Sequence, residues 1–136
     1  MEIFLKRDNF VGFTPVEQSD VDKIMKLKKA DVYRCEIKLA RNYEFHKKFF
    51  AMINVGHNAT KLDLPFDVYR KVMTMKAGFF KAYKTDKGTY FEPDSISFGN
   101  MTEERFQEVY SRVLDVILQD TNLTKEVIEK ELVNFF

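Results

Sequence analysis

The residues able to do chemistry in this chain are few and scattered. Glu36-Ile37-Lys38, with Asp31 upstream, has the E-x-K spacing that sets a carboxylate and an ammonium on one face of a strand. That is half of a metal-dependent nuclease site, which needs two or more carboxylates converging on Mg²⁺ beside a lysine. A strand with a charged outer face yields the same triplet without any chemistry, so the pattern alone assigns no nuclease. His46 and His57 are the only histidines. They fall on one helical stretch, where a rise of ~1.5 Å per residue separates them by roughly 16 Å, too far to share a metal ion. Cys35 is the single cysteine, which excludes an intramolecular disulfide and a cysteine zinc cluster. Its inward register in an alternating segment marks it as a small buried hydrophobe rather than a nucleophile paired with His46. The sequence has no glycine-rich phosphate loop and no nucleophile elbow. The expectation is a protein with no catalytic residues, metal or cofactor.

The densest stretch is RNYEFHKKFF, residues 41–50, with four aromatic rings and a histidine among three cations. On a helical wheel Phe45 and Phe49 centre the apolar stripe and belong to the core. Tyr43, His46, Phe50 and His57 lie on its flank, Arg41 and Lys48 border its other side, and Lys47 points outward. Exposed rings beside cations are what single-stranded nucleic acid requires, because bases stack on rings and the backbone needs positive charge. Arg41, Asn42, Tyr43, His46, Lys47, Lys48 and Phe50 are therefore the candidate nucleic-acid-binding residues. In the competing reading Tyr43 and Phe50 pack under a neighbouring loop and His46 hydrogen-bonds locally.

Charge patterning bears on the choice. The net charge of +1 conceals 18 Lys and Arg against 11 Asp and Glu in residues 1–88, and 4 against 10 in residues 89–136, that is +7 and −6. Such asymmetry points to polyanion binding or to contact between the halves, unless the fold interleaves them. At 136 residues, 45% hydrophobic and 15% aromatic, the chain has the composition of one folded domain. The apolar h-region of a signal peptide is missing, no run reaches membrane-spanning length, and one cysteine suits a reducing compartment, so a cytoplasmic protein is expected.

The elements that must position these residues follow from periodicity and caps. EIFLKR and FVGFTP form a first hairpin around Arg7-Asp8-Asn9, ended by Pro15. Ser19 or Asp20 caps a short helix, VDKIMKLKK, with Val21, Ile24, Met25 and Lys28 on one side. DVYRCEIKL, residues 31–39, alternates as a half-buried strand, with Tyr33, Cys35, Ile37 and Leu39 inward. Asn42 caps the next helix, with Glu44 in its first turn and Phe45, Phe49, Met52, Ile53 and Gly56 on the core face. A third helix from Leu64 uses Val68, Val72, Met75 and Phe79. FKAYKT, a Thr85-Asp86-Lys87-Gly88 turn and TYFE make a hairpin, and SISF a further short strand. Asn100 with Glu103 reads as a capping box for a helix on Phe106, Val109, Tyr110, Val113 and Ile117. A last helix opens at Thr124, with Leu123 and Ile128 as a hydrophobic staple. It runs through Leu132, Val133, Phe135 and Phe136, an apolar end that predicts a homodimer packed across a two-fold contact.

The motifs R-N-Y-E-F-H-K-K-F-F-A-M-I-N and S-I-S-F-G-N-M-T-E-E-R-F-Q-E-V-Y, in this order of elements, resemble an uncharacterised phage and prophage protein family known only as a domain of unknown function. The likeness spans nearly the whole chain and implies phage or prophage origin rather than an activity. More distantly the layout is similar to the NinB/Orf group of phage recombination accessory proteins, with Arg41, Asn42, Lys47, Lys48 and Phe50 matching that group's helix start. Phe45 and His46 stand where that group has Gln-Asn. The resemblance implies assistance to recombination on single-stranded DNA alongside single-strand-binding protein. Together these readings give a single α+β domain over residues 1–136, with a small antiparallel sheet packed with about five helices. The expected function is non-catalytic binding of single-stranded nucleic acid, and the alternative is a protein-interaction module modulating a host or phage protein.

Overall fold

In the computed structural model, which describes residues 1–8, 11–37, 42–96 and 100–133, Asn42 begins the element around which most of the apolar surface is buried. Its side chain accepts a hydrogen bond from the Phe45 backbone N–H at 3.2 Å. This satisfies one of the donors that a helix N-terminus leaves open. The helix so capped, α2 here (Tyr43–Ala59), buries Phe49, Met52, Ile53 and Gly56 as its periodicity predicts. Two hairpins and five helices make an α+β fold: β1 (Leu5–Lys6), β2 (Thr14–Pro15), α1 (Gln18–Met25), α2, α3 (Phe66–Lys76), β3 (Phe80–Thr85), β4 (Gly88–Pro93), α4 (Glu103–Asp120) and α5 (Lys125–Val133). Both sheets are two-stranded and antiparallel, β1 with β2 and β3 with β4.

The chain divides into two compact units, Met1–Glu36 and Ile37–Phe136. In the first, the predicted hairpin forms with Leu5 opposite Pro15 and Lys6 opposite Thr14. Its helix begins earlier than expected, after Glu17, so Ser19 and Asp20 are inside it rather than capping it. Asp20 is buried against Lys23 at 3.1 Å, and Met25, assigned to the core side, is exposed. The larger correction concerns residues 31–39. Residues 31–37 are exposed and form no strand, and Cys35 is exposed with them. Alternation becomes a strand only when a neighbour supplies the ladder, and among the described residues none pairs with this segment. Leu39 and Lys38 of that expectation lie outside the described residues.

In the second unit α2 packs against α3, α4 and α5, and α3 packs against α4 and β4. The core is built from Phe49, Met52 and Ile53 of α2, Tyr69 and Met73 of α3, and Phe106, Val109, Val113 and Ile117 of α4, closed by Ile128 and Leu132 of α5. The buried face of α3 is thus one residue on from the predicted one. Tyr69, Met73 and Thr74 are inside, whereas Val68 is exposed. The shift comes from Tyr69. Its hydroxyl donates to Asp120 Oδ2 at 3.2 Å, which lets a polar-tipped ring occupy a fully buried position. Thr60, at the end of α2, donates to the same oxygen at 2.7 Å. Gly56 makes this convergence of α2, α3 and α4 possible, since a Cβ there would lie 2.8 Å from Ile117 Cγ2 and 2.9 Å from the Tyr69 oxygen.

The end of α3 aims the chain into the second hairpin. Gly78 adopts φ +94°, its N–H donates to the Met75 carbonyl, and the Phe79 N–H donates to the Thr74 carbonyl. This pair of bonds is a Schellman ending. It stops the helix short of the predicted length, buries Phe79 and starts β3 at Phe80. The hairpin has the predicted turn, with Thr85 opposite Gly88. α4 is capped by Thr102, whose side chain accepts from the Arg105 N–H at 3.2 Å, and not by Asn100, which donates to Ser95 Oγ instead. Of the predicted SISF strand, Ser95 and Ile96 are not extended in a sheet, and residues 97–98 lie outside the described residues. Thr124 caps α5 as expected, its Oγ1 accepting from the Val127 N–H. Phe135 and Phe136 are outside the described residues.

Burial first, and the adjacent Asp120 carboxylate second, hold the Tyr69 phenol well above its ordinary value. The folded state therefore keeps this proton where the unfolded chain loses it. Stability from this group is complete below the unfolded phenol value of about 10 and is lost as pH rises from there toward the higher folded value. Denaturation midpoints should fall on going from about pH 8 to pH 11, and Tyr69→Phe should make that fall shallower. An unchanged alkaline slope in the variant would show that another group governs it.

Candidate nucleic-acid interface

The sequence-predicted site starts at the first turn of α2, and the structure divides it. Asn42 is spent on the cap, and Arg41 lies outside the described residues. His46 turns inward to 7% exposure, stacked with Phe106 at 6.3 Å and tilted against Phe50 at 4.8 Å. Phe50 is half-buried, touching Phe66 of α3, with the Arg70 guanidinium 5.8 Å from its ring centre. His57 bonds to the Leu64 carbonyl at 2.7 Å and meets Phe66 and Tyr69 edge-on or tilted. The flank expected to be a polar aromatic edge is therefore largely roofed, by α4 at His46 and by α3 at Phe50.

Tyr43, Lys47 and Lys48 remain as the outward part. The Lys47 ammonium sits 5.4 Å from the Tyr43 ring centre and the Lys48 ammonium 5.4 Å from that of Tyr110 on α4. Burial first, then the Glu129 carboxylate, raises the Tyr110 phenol above its usual value, so the ring stays neutral beneath Lys48. These rings and cations already engage one another within the protein.

The charge asymmetry sharpens when set on the two units. Residues 1–36 hold 7 Lys and Arg against 7 Asp and Glu, whereas residues 37–88 hold 11 against 4. The whole +7 thus belongs to the stretch forming α2, α3 and β3. Part of it is matched locally, at Arg70, Lys71 and Lys76. On α3, Arg70 and Lys71 both reach Asp67, at 2.8 and 3.1 Å, and the Arg70 bond first and the Lys71 bond second hold that carboxyl below the ordinary carboxylate range. On the acidic α4, Arg105 and Arg112 both bind Glu108 at 2.8 Å. Lys81, Lys84 and Lys87 of the β3–β4 hairpin form no ion pair among the described residues, and neither do Lys48 and Lys61.

That hairpin is the surface the sequence reading passed over. Cross-strand partners share a face. The register places Phe80, Ala82 and Phe91 on one face, and Lys81, Tyr83, Tyr90 and Glu92 on the other. Phe80 and Phe91 meet edge-to-face at 5.6 Å, and Phe80, Tyr83, Tyr90 and Phe91 are all exposed. A signal was present in FKAY and TYFE. Aromatic residues on both faces of a two-stranded ribbon cannot all be buried unless something covers each side.

Among the described residues no group of three or more His, Cys, Asp or Glu side chains is placed to hold a metal ion. Cys35 and Glu36 belong to the exposed segment, and Lys38, the other half of E-x-K, is outside the described residues. Among the described residues no helix is long and apolar enough to cross a membrane.

The chain belongs to the family described as "Protein of unknown function (DUF1367)", whose model matches residues 5–61 and 57–134. No curated protein and no solved structure matches it.

Proposed function

We propose that this family member binds single-stranded nucleic acid without catalysis, as an accessory protein of phage-type DNA recombination or replication. One observation carries the reading. Residues 37–88 concentrate 11 cations against 4 acids, and they interleave those cations with the half-buried Tyr43 and the exposed Tyr83. Phosphates take the lysines and unpaired bases take the rings. Duplex DNA offers the same phosphates but no free base faces. A labelled single strand should therefore bind at least about tenfold tighter than a blunt duplex of equal length in fluorescence anisotropy. Equal affinity for the two would reduce the protein to a general cation surface, and no binding to either would favour the interaction-module reading.

The likeness of the α2 start to the NinB/Orf group is what suggests a phage origin and work beside single-strand-binding protein in the cytoplasm of a host cell. A homodimer through α5 completes the proposal. Ile128 and Leu132 face the chain's own core, while Val127 and Val133 remain exposed and available to a second copy.

A further inference from the structure

Resting on the single-stranded reading, we infer that the tyrosine-bearing face of the β3–β4 hairpin is the platform on which unpaired bases stack. Tyr83 and Tyr90 are direct cross-strand partners and are 47% and 60% exposed. Opposed side chains on an antiparallel pair have Cβ atoms about 5 Å apart, so the two rings rise side by side from one face of the ribbon. Among the described residues neither ring is covered by another ring or by a cation. Tyr43, Tyr110 and Phe50 each already have an ammonium or guanidinium against them. The hairpin tyrosines, one at the end of the basic stretch and one just beyond it, thus keep open aromatic faces.

The surroundings select the kind of partner. Lys81 shares the tyrosine face, Lys84 is on the other face across from Thr89, and Lys87 lies in the turn. None forms an ion pair among the described residues, so the ribbon offers cations to phosphates. At the foot of the same face, beyond the Lys81–Glu92 cross-strand pair, lies a polar cleft of about 260 Å³ lined by Lys81, Glu92, Asp94, Ser95, Asn100 and Arg105. It presents donors and acceptors side by side. Its two carboxylates disfavour a bare phosphate, whereas the mixed lining matches the edge of a nucleobase, which carries both kinds of group. Bases on the tyrosines, one base edge at the cleft and phosphates near Lys81 suit this face. The opposite face is less suited, because Phe80 and Phe91 close edge-to-face on each other.

The test uses the full chain, a labelled oligothymidylate and a second oligonucleotide of equal length whose central nucleotides are abasic. Stacking of this kind is worth roughly 5- to 150-fold in affinity per base, and two tyrosines can take more than one. The wild type should bind the base-bearing strand at least tenfold tighter than the abasic one. Tyr83→Ala combined with Tyr90→Ala should abolish that preference, while Tyr83→Phe with Tyr90→Phe should keep it. If the alanine pair folds and retains the preference, the platform is overturned and the single-stranded reading stands. If the wild type binds both oligonucleotides equally, the platform falls together with the part of that reading that rests on bases. If the wild type binds neither, both fall. Should the alanine pair disturb the hairpin, seen in circular dichroism, the wild-type preference for bases over abasic sites decides alone. An alanine pair that leaves binding intact but lowers the mass by light scattering would assign this face to contact between copies of the chain.

Discussion

Phe106→Ala is expected to lower the free energy of unfolding by about 3–5 kcal/mol, read as a large shift of the denaturant midpoint with little change in slope. Phe106 is fully buried on α4 and is the hub of the aromatic cluster. It meets Phe45 edge-on at 5.0 Å, Phe49 at 5.3 Å and the His46 ring at 6.3 Å. These three contacts are what dock the first turns of α2, and hence Tyr43, Lys47 and Lys48, onto α4. Truncation removes the ring's transfer free energy and leaves a cavity that helices held by Val109 and Val113 below it close only in part. Against a typical stability of about 5–15 kcal/mol this is a large fraction. A loss under about 1 kcal/mol would mean that α2 and α4 are not packed as described.

Asp120→Ala should cost about 2–4 kcal/mol, although the residue lies at the end of a helix and near the surface. One of its oxygens accepts from both Thr60 and Tyr69, and the other lies 4.0 Å from the Lys76 ammonium. Alanine removes the carboxylate that accepts from the buried Tyr69 hydroxyl and from Thr60 at once. Bonds to a charged acceptor are stronger than neutral ones, and the unsatisfied buried donor adds its own desolvation penalty. Asp120→Asn keeps an acceptor in place and should recover roughly half of the loss. Equal effects of the two substitutions in equilibrium unfolding would show that charge, not the hydrogen-bond geometry, holds the junction.

That junction also marks where the sequence stopped being legible. The cap, the first-turn Glu44 and the stripe of α2 could be read because each is a local signal within one or two turns. The α3 face could not, since a valine outranks a tyrosine until the tyrosine's partner is known, and Asp120 is 51 residues away. Residues 31–39 failed differently. Their alternation is compatible with a strand but does not create the neighbour that a strand needs, and Cys35 and Ile37 are left exposed. At the candidate site the same limit applied. His46 and Phe50 were placed correctly on the flank of the stripe, yet whether a flank meets water depends on the neighbouring helices: α4 covers His46 and α3 covers Phe50. The β3–β4 pairing was readable from its turn, but the exposure of Tyr83 and Tyr90 was not, because pairing says nothing about what lies on either side of the ribbon.

The measurement that bears most directly on the single-stranded nucleic-acid reading is the affinity of the full chain for a labelled single strand, followed across a series of salt concentrations. The expected result is saturable binding at low salt, with log affinity falling linearly against log salt by roughly 0.7 per phosphate neutralised, and by several such contacts in total. An anisotropy that does not change at tens of micromolar protein in the lowest salt would contradict the proposal outright.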